Sequence, residues 1–403
     1  MSTLASPHGP WQRDAAVIGL VGLAHASSHF SHLLLPLMFP VFIKTFGLSY
    51  AELGALMSVF FVISGIGQAS AGFVVDRVGA RPVMFGSLFI FTLACVAVAV
   101  ADSYAGLMFG AVLLGLGNCA FHPVDFTILN QRVSSSRLGY AFSAHGLTGN
   151  LGWAVAPVFM VGISTALDWR AAYLGAGLLF FAILVLLWWQ RDWLSTQVVS
   201  RQQATEGGEH TLAFLKIPVV WWCFAFFLLS TMTLAVIQSF SVSILQAMHQ
   251  VTFEAATMTL TAYMLCAAAG MLLGGFVAAR WPRHSDRVVA VCMSAAAVCM
   301  MLCGSAWLGG TWTMVVLATT GLAIGIGGPS RDMMIKKATP KGATGRVYGM
   351  VYSGLDVGFA ISPLIFGVFM DHGWYGATLV GAACVLLSSV WVALGVGRRT
   401  VQV

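Results

Sequence analysis

The chain reads as an all-α membrane protein, with twelve transmembrane helices in two pseudo-symmetric six-helix bundles. Three observations predict it. The residues are 59% apolar and 8% charged, where a soluble domain carries about 25% charged residues. Twelve apolar stretches are long enough to cross a bilayer, which takes about 20 residues as a helix. Four short motifs recur in the same order in both halves.

The stretches run over 15–43, 51–75, 82–101, 105–131, 138–165, 171–190, 217–246, 254–279, 288–308, 311–335, 345–370 and 374–396. The longest exceed the minimum, which predicts tilt or protruding ends. With the N-terminus in the cytoplasm, seventeen Lys and Arg fall in cytoplasmic segments. Only Lys44 and Arg170 fall outside, and Arg331 lies within a span. The positive-inside rule therefore places both termini in the cytoplasm of a multi-pass protein, expected in a bacterial inner membrane. The same distribution accounts for a net charge of +6 without nucleic acid, because basic loops sit against an anionic leaflet.

All eight cysteines lie in apolar stretches, so no disulfide framework is implied. Cys299 and Cys303 share a helix face, but small packing residues explain them better than a soft-metal pair. Residues 1–13 are polar and the first span is too long for a signal h-region, so no cleaved leader is expected.

A polar segment near mid-chain, opening at Arg191-Asp192-Trp193, divides the sequence. It predicts bundles over 1–193 and 215–403, joined by a cytoplasmic linker over 194–214. Gly72-Phe73-Val74-Val75-Asp76-Arg77 is echoed by Gly275-Phe276-Val277-Ala278-Ala279-Arg280, which has lost the acid. Gly115-Leu116-Gly117 is echoed by Gly325-Ile326-Gly327, and Gly152 through Pro157 by Gly358 through Pro363. Asp168-Trp169 opens the sixth span as Asp371-His372 opens the twelfth. Small residues crowd the second, fifth, eighth and eleventh spans, as in Gly146-x-x-Gly149-x-x-Gly152 and Gly354-x-x-x-Gly358. They predict close helix packing and a seam along which the halves rock.

Ionisable groups in hydrocarbon are costly and usually line a cavity, so they are the candidate functional residues. His25, His29 and His32 share one face of the first span, with Ser28 and Pro36. They bind a solute, relay protons, hold a transition metal or bond to neighbouring helices. No acid shares that face and the methionines form no matching set, so no metal site or cofactor is expected. Asn118, His122, Asp125 and Arg132 form a stripe on the fourth span, where Pro123 is expected to loosen the helix. Asp125 is a candidate proton carrier, or else a partner of Arg132 or Arg137. His145 lies at a depth similar to His122.

The second half adds Gln238, Arg331, Asp332 and Asp356. Side chains of adjacent helical residues point about 100° apart, so Arg331 and Asp332 are expected to need separate partners. Arg331 either binds an anionic solute or closes a gate with Asp125 or Asp356. Asp356 is expected to be the most deeply placed carboxylate and a proton-coupling group, with Asp125, His145 and Asp332. The solute-binding candidates are His25, His29, His32, Asn118, His122, Gln238 and Arg331.

The segment Gly72-Phe73-Val74-Val75-Asp76-Arg77-Val78-Gly79-Ala80-Arg81 resembles the G-x-x-x-D-R-x-G-x-R loop signature of the major facilitator superfamily. The fragment Phe121-His122-Pro123 is similar to one in fosmidomycin-resistance-type members. The resemblance implies two bundles around a central cavity lined by the first, fourth, seventh and tenth spans. It also implies alternating access, with Gly72, Asp76, Arg77, Gly79 and Arg81 as a latch in which two glycines turn the chain. No G-x-x-x-x-G-K-[ST] loop occurs, so protons rather than ATP are the expected energy source. The favoured expectation is a monomeric secondary transporter of a small polar solute, anions included, with uptake ahead of export. Drug efflux is disfavoured because Gly152 and Pro157 are separated in the fifth span. Transition-metal import and a transport-inactive membrane receptor also rank behind it. An enzyme is not expected, for no nucleophile–base motif occurs.

Overall fold

The computed structural model describes residues 10–197, 217–338 and 344–400. Every regular element among them is a helix, and twelve helical spans are long and apolar enough to cross a membrane. The first half holds α1 (Pro10–His32), α2 (Phe39–Phe46), α3 (Tyr50–Val78), α4 (Ala80–Ala99), α5 (Tyr104–Asn118), α6 (Phe121–Arg132), α7 (Leu138–Ala166) and α8 (Trp169–Trp189). The second holds α9 (Pro218–His249), α10 (Phe253–Arg280), α11 (Ser285–Gly304), α12 (Gly310–Ala338), α13 (Thr344–Asp371) and α14 (Tyr375–Thr400). Most of the expected linker lies outside the described residues.

Two spans are broken, and proline explains both breaks. A proline deprives the carbonyl four residues earlier of its N–H partner and clashes with it. Pro36 does this to His32, where α1 ends, and Pro40 to Pro36, whose carbonyl accepts from Phe39 N instead. The break exposes carbonyls to a membrane interior that offers no water. Tyr173 meets one of them: its buried hydroxyl donates to the Leu34 carbonyl at 2.7 Å. In the fourth span Pro123 deprives the Cys119 carbonyl, and the helix is interrupted between Asn118 and Phe121.

The halves repeat their packing. α1 lies on α7 as α9 lies on α13, α3 on α5 as α10 on α12, and α4 on α8 as α11 on α14. The two most extensive contacts between halves, α3 with α13 and α7 with α10, exchange with each other under the same symmetry. Exposed tryptophans mark both ends of the bundle. Trp11, Trp188, Trp189 and Trp281 lie at the end that carries the termini, and Trp307, Trp312 and Trp374 at the far end. Indoles favour the two membrane interfaces. At the far end Ser49, Ser103, Asp168 and Thr252 cap α3, α5, α8 and α10 through their side chains.

The repeat fails at one cap. Asp168 accepts from Ala171 N at 2.7 Å, one turn into its own helix. Asp371 ends α13 instead, and accepts from Tyr50 N and Ala51 N of α3 at 2.6 and 2.9 Å. It caps a helix of the other half. Ser58 to the Ala360 carbonyl at 2.5 Å and Phe61 stacked on Phe359 at 4.3 Å continue this contact inward. Thr261 to Ala154 and Asn150 to Met271 join α10 and α7.

The spans rich in small residues do meet across the halves, while most of their glycines admit a neighbour of their own half. A Cβ on Gly152 would lie 2.1 Å from the Ala26 carbonyl of α1, and one on Gly149 2.7 Å from the His29 ring. Gly354 and Gly358 meet the α9 backbone, and Gly270 and Gly274 the α12 backbone. The seam uses Gly54, Gly65 and Gly367, which meet Pro363, Asp356 and Tyr50 across the halves. Gly152→Ala should therefore cost about 1–3 kcal/mol of stability, as overpacking does. Gly54→Ala meets the Pro363 carbonyl at 2.3 Å but is relieved when the halves part. It should instead raise labelling of a far-end cysteine in a cysteine-free background. Equal melting losses with no change in labelling would contradict the division.

Candidate functional site

The break at Cys119 resets the fourth span and turns Asp125 of α6 into the bundle. Its side chain is fully buried. A buried carboxylate carries a cost of several kcal/mol unless it is paired and hydrogen-bonded. The partners come from two other helices. His25 Nδ1 of α1 and His145 Nε2 of α7 both lie 3.1 Å from Asp125 Oδ2. Their rings stack with centroids 3.5 Å apart. An ionised carboxylate only accepts, so both imidazoles donate to it in that state. The other oxygen, Oδ1, is buried with no hydrogen-bond partner among the described residues.

Of the two readings of Asp125, the arginine partnership is not the one seen: Arg132 bonds the carbonyls of Trp193 and Asp192, and Arg137 bonds Asp14. Asp125 is fully buried and Asp356 partly buried. The acid missing from the histidine face of α1 is supplied by α6.

His122 extends the cluster. Its ring lies 5.5 Å from that of His25 and 6.2 Å from that of His145. His122 Nδ1 lies 2.8 Å from Gln68 Oε1 of α3, and Gln68 Nε2 reaches Asp356 Oδ2 of α13 at 3.4 Å. Gly65 permits this approach, since a Cβ there would lie 3.2 Å from Asp356 Cβ. A polar path thus crosses from the first half to the second. Gln68 is absent from the candidates read off the sequence, although an amide within an apolar span is a usable signal. His29 lies 4.5 Å from His25 by ring centroids, and its Nδ1 is buried without a hydrogen-bond partner among the described residues. Two sets of donor atoms, His25–Asp125–His145 and His25–His29–His122, each lie within 4.8 Å and have the composition of metal ligands.

His32 and Asn118 are joined in a buried hydrogen-bond network. Trp153 Nε1, which only donates, lies 3.3 Å from His32 Nδ1. That leaves Nε2–H to donate to Asn118 Oδ1 at 3.1 Å. Ser28 donates to the same oxygen at 2.6 Å, and Asn118 Nδ2 donates to Ser64 Oγ at 2.8 Å. One amide joins α1, α3 and α5, so all these bonds serve the first half.

In the second half Gln238 is buried in α9, and its Nε2 has no hydrogen-bond partner among the described residues. Arg331 Nε donates to Asp332 Oδ1 at 3.0 Å, contrary to the expectation from side-chain direction. The Cβ atoms diverge, but the long guanidinium stem folds back along α12. Arg331 also lies over the Phe227 ring at 4.9 Å, a cation–π contact with α9. It closes no gate with Asp125 or Asp356 in this conformation.

The residues of the loop signature differ in their settings. Gly79 has φ +87° between α3 and α4, a conformation that favours glycine. Gly72 is helical with open space where its Cβ would lie, so it makes no turn here. Arg81 reaches the Arg191 carbonyl at 3.3 Å, and Thr196 accepts from Ala80 N at 2.9 Å. Asp76 and Arg77 are set apart from the buried cluster, and Arg77 is exposed.

A profile of the Major Facilitator Superfamily matches residues 21–330 and 228–402. The inner membrane transport protein YajR of Escherichia coli (strain K12) is 24% identical over 361 residues, covering 86% of this chain and 75% of that protein. The fosmidomycin resistance protein of the same organism is 26% identical over 143 residues, 35% of each chain. The chain spans about a third of the length of most curated relatives it matches. A bacterial homolog of the human lysosomal transporter Spinster, in an inward-facing and unoccupied conformation, superimposes with a TM-score of 0.75. That match has 15% identity and covers 99% of this chain and 98% of the other.

Proposed function

The chain belongs to the Major Facilitator Superfamily, and we propose that this membrane transporter carries a small polar, in part anionic, organic solute with protons by alternating access. The observation that carries the reading is the path His25/His145–Asp125, His122–Gln68–Asp356. It brings carboxylates of both halves into one polar neighbourhood. Intramembrane acids and histidines in such chains are typical of proton relays. Because the path spans the seam, a change of charge at either end alters the attraction between the halves.

The seventeen-to-two division of basic residues supports a cytoplasmic position for the termini. On that orientation the Asp371 cap closes the outer face, and the cytoplasmic face is the one expected to open to the site. Asp76 and Arg77 then stand on the open side, ready to engage when it closes. An inner membrane location accords with the bacterial relatives.

The solute-binding candidates of the second half are Gln238, whose amide has a donor to spare, and Arg331. A carboxylate on the solute would replace Asp332 on the guanidinium, which binds anions through a planar fork. Organic acids, amino acids, sugars and drugs should first be screened by thermal shift at two pH values. For the ligands found, Arg331→Lys should weaken an anionic solute about tenfold more than a neutral one. Equal weakening would assign Arg331 to conformational gating instead.

A further inference from the structure

We propose that the His25–Asp125–His145 cluster binds a divalent first-row transition-metal ion of the Co2+, Ni2+ and Zn2+ group. Three observations lead there. The two imidazole nitrogens and the carboxylate oxygen lie within 4.8 Å of one another, each nitrogen 3.1 Å from the oxygen. A tetrahedral zinc with bonds of about 2.0–2.1 Å holds its donor atoms about 3.3 Å apart. Each nitrogen–oxygen separation therefore needs to open by only a few tenths of an ångström.

The second observation is the unused capacity at the site. Asp125 is fully buried, and its Oδ1 has no hydrogen-bond partner among the described residues. His29 Nδ1, at the other edge of His25, is also buried without one. Both are lone-pair positions once the imidazole carries its proton on the other nitrogen. The third is charge. The arginines nearest in sequence to Asp125 are bound elsewhere, Arg132 to carbonyls and Arg137 to Asp14. A cation held by Asp125 would meet imidazole nitrogens rather than a competing guanidinium.

The donor set selects the class of ion. Two imidazoles and a carboxylate suit Co2+, Ni2+ and Zn2+, and the lack of sulfur in the set disfavours Cu+. His29 and His122 form a second set sharing His25, and either can complete the coordination after a modest rotation. A metal ligand must present a free lone pair, so the ion takes the nitrogen positions from the protons that now bond Asp125. Metal and proton therefore compete for one site. This consequence, though not the binding itself, rests on the coupling role proposed above. The ion should arrest proton-driven turnover.

The test uses the full-length protein, free of any polyhistidine tag, in nanodiscs. Titration with Co2+ should produce visible d–d bands that saturate at one equivalent per chain and are displaced by Zn2+. The bands should persist in the quadruple variant His8→Ala, His210→Ala, His284→Ala, His372→Ala, which removes the histidines outside α1–α14. They should be lost in His145→Gln and in Asp125→Asn. Should those variants not fold, X-ray absorption of the zinc-loaded wild type decides. A four- or five-donor nitrogen and oxygen shell with imidazole outer-shell scattering supports the site. A six-oxygen shell, a sulfur-containing shell, no band, or a band that survives Asp125→Asn overturns it. Transport is not read in this experiment, so its failure is distinct from failure of the proton-coupled reading.

Discussion

Asp371→Asn is expected to open the far end of the transporter. The carboxylate accepts two backbone N–H groups at 2.6 and 2.9 Å, at the positive end of a helix in the other half. Bonds to a charged group contribute about 1.5–3 kcal/mol each, and a helix N-terminus adds to them. Asparagine keeps one carbonyl acceptor and loses the charge. A net loss of about 2 kcal/mol shifts the balance between closed and open far ends by roughly 30-fold. Spin labels placed at the far ends of α3 and α13 measure it directly. The variant should populate a longer distance absent or minor in the wild type, while melting almost unchanged. An unaltered distance distribution would remove Asp371 from the closing device.

The second large effect is expected at Asp356. Asparagine has the same shape and keeps the Gln68 contact, but it does not titrate. The path from His122 then ends in a neutral group. Exchange of solute across the membrane needs only the two conformations, so Asp356→Asn should retain it. Net accumulation needs the proton, and should vanish. One proton moving down a gradient of one pH unit supplies about 1.4 kcal/mol, enough for roughly tenfold accumulation. Proteoliposomes carrying Asp356→Asn should equilibrate their solute without concentrating it. Tenfold accumulation by the variant would move coupling to Asp125 and its histidines alone.

Much of this molecule is legible in its sequence, for physical reasons that also define what is not. Hydrocarbon demands long apolar helices, so the spans can be counted. Proline deprives a particular carbonyl, so Pro123 marks the weak point of the fourth span. Helical periodicity gathers His25, His29 and His32 on one face and His122 with Asp125 on another, while the break at Cys119 separates Asn118 from the stripe expected with them. It says which residues share a face and not which helix that face meets. Asp125 therefore points toward arginines in the sequence, when its partners in the fold are His25 and His145. The same gap hides Gln68 as the bridge to Asp356, and Asp371 as the cap of α3.

The glycines show a related limit. Small residues in α7 and α13 signal close approach, but the partner decides the meaning. Gly149 and Gly152 admit α1 of their own half, whereas Gly54 and Gly65 admit the opposite half. Arg331 illustrates side-chain reach. Cβ geometry separates it from Asp332, and a flexible stem with a forked head closes the distance to 3.0 Å.

The central claim is that protons drive the cargo, and gradient-dependent uptake by the wild-type protein tests it most directly. Proteoliposomes should be loaded at one internal pH and diluted into medium one unit lower, with a solute found by thermal shift. Proton coupling predicts roughly tenfold internal accumulation for each coupled proton, collapsing to equilibrium when a protonophore is added. Equal internal and external concentrations with and without the gradient would contradict it.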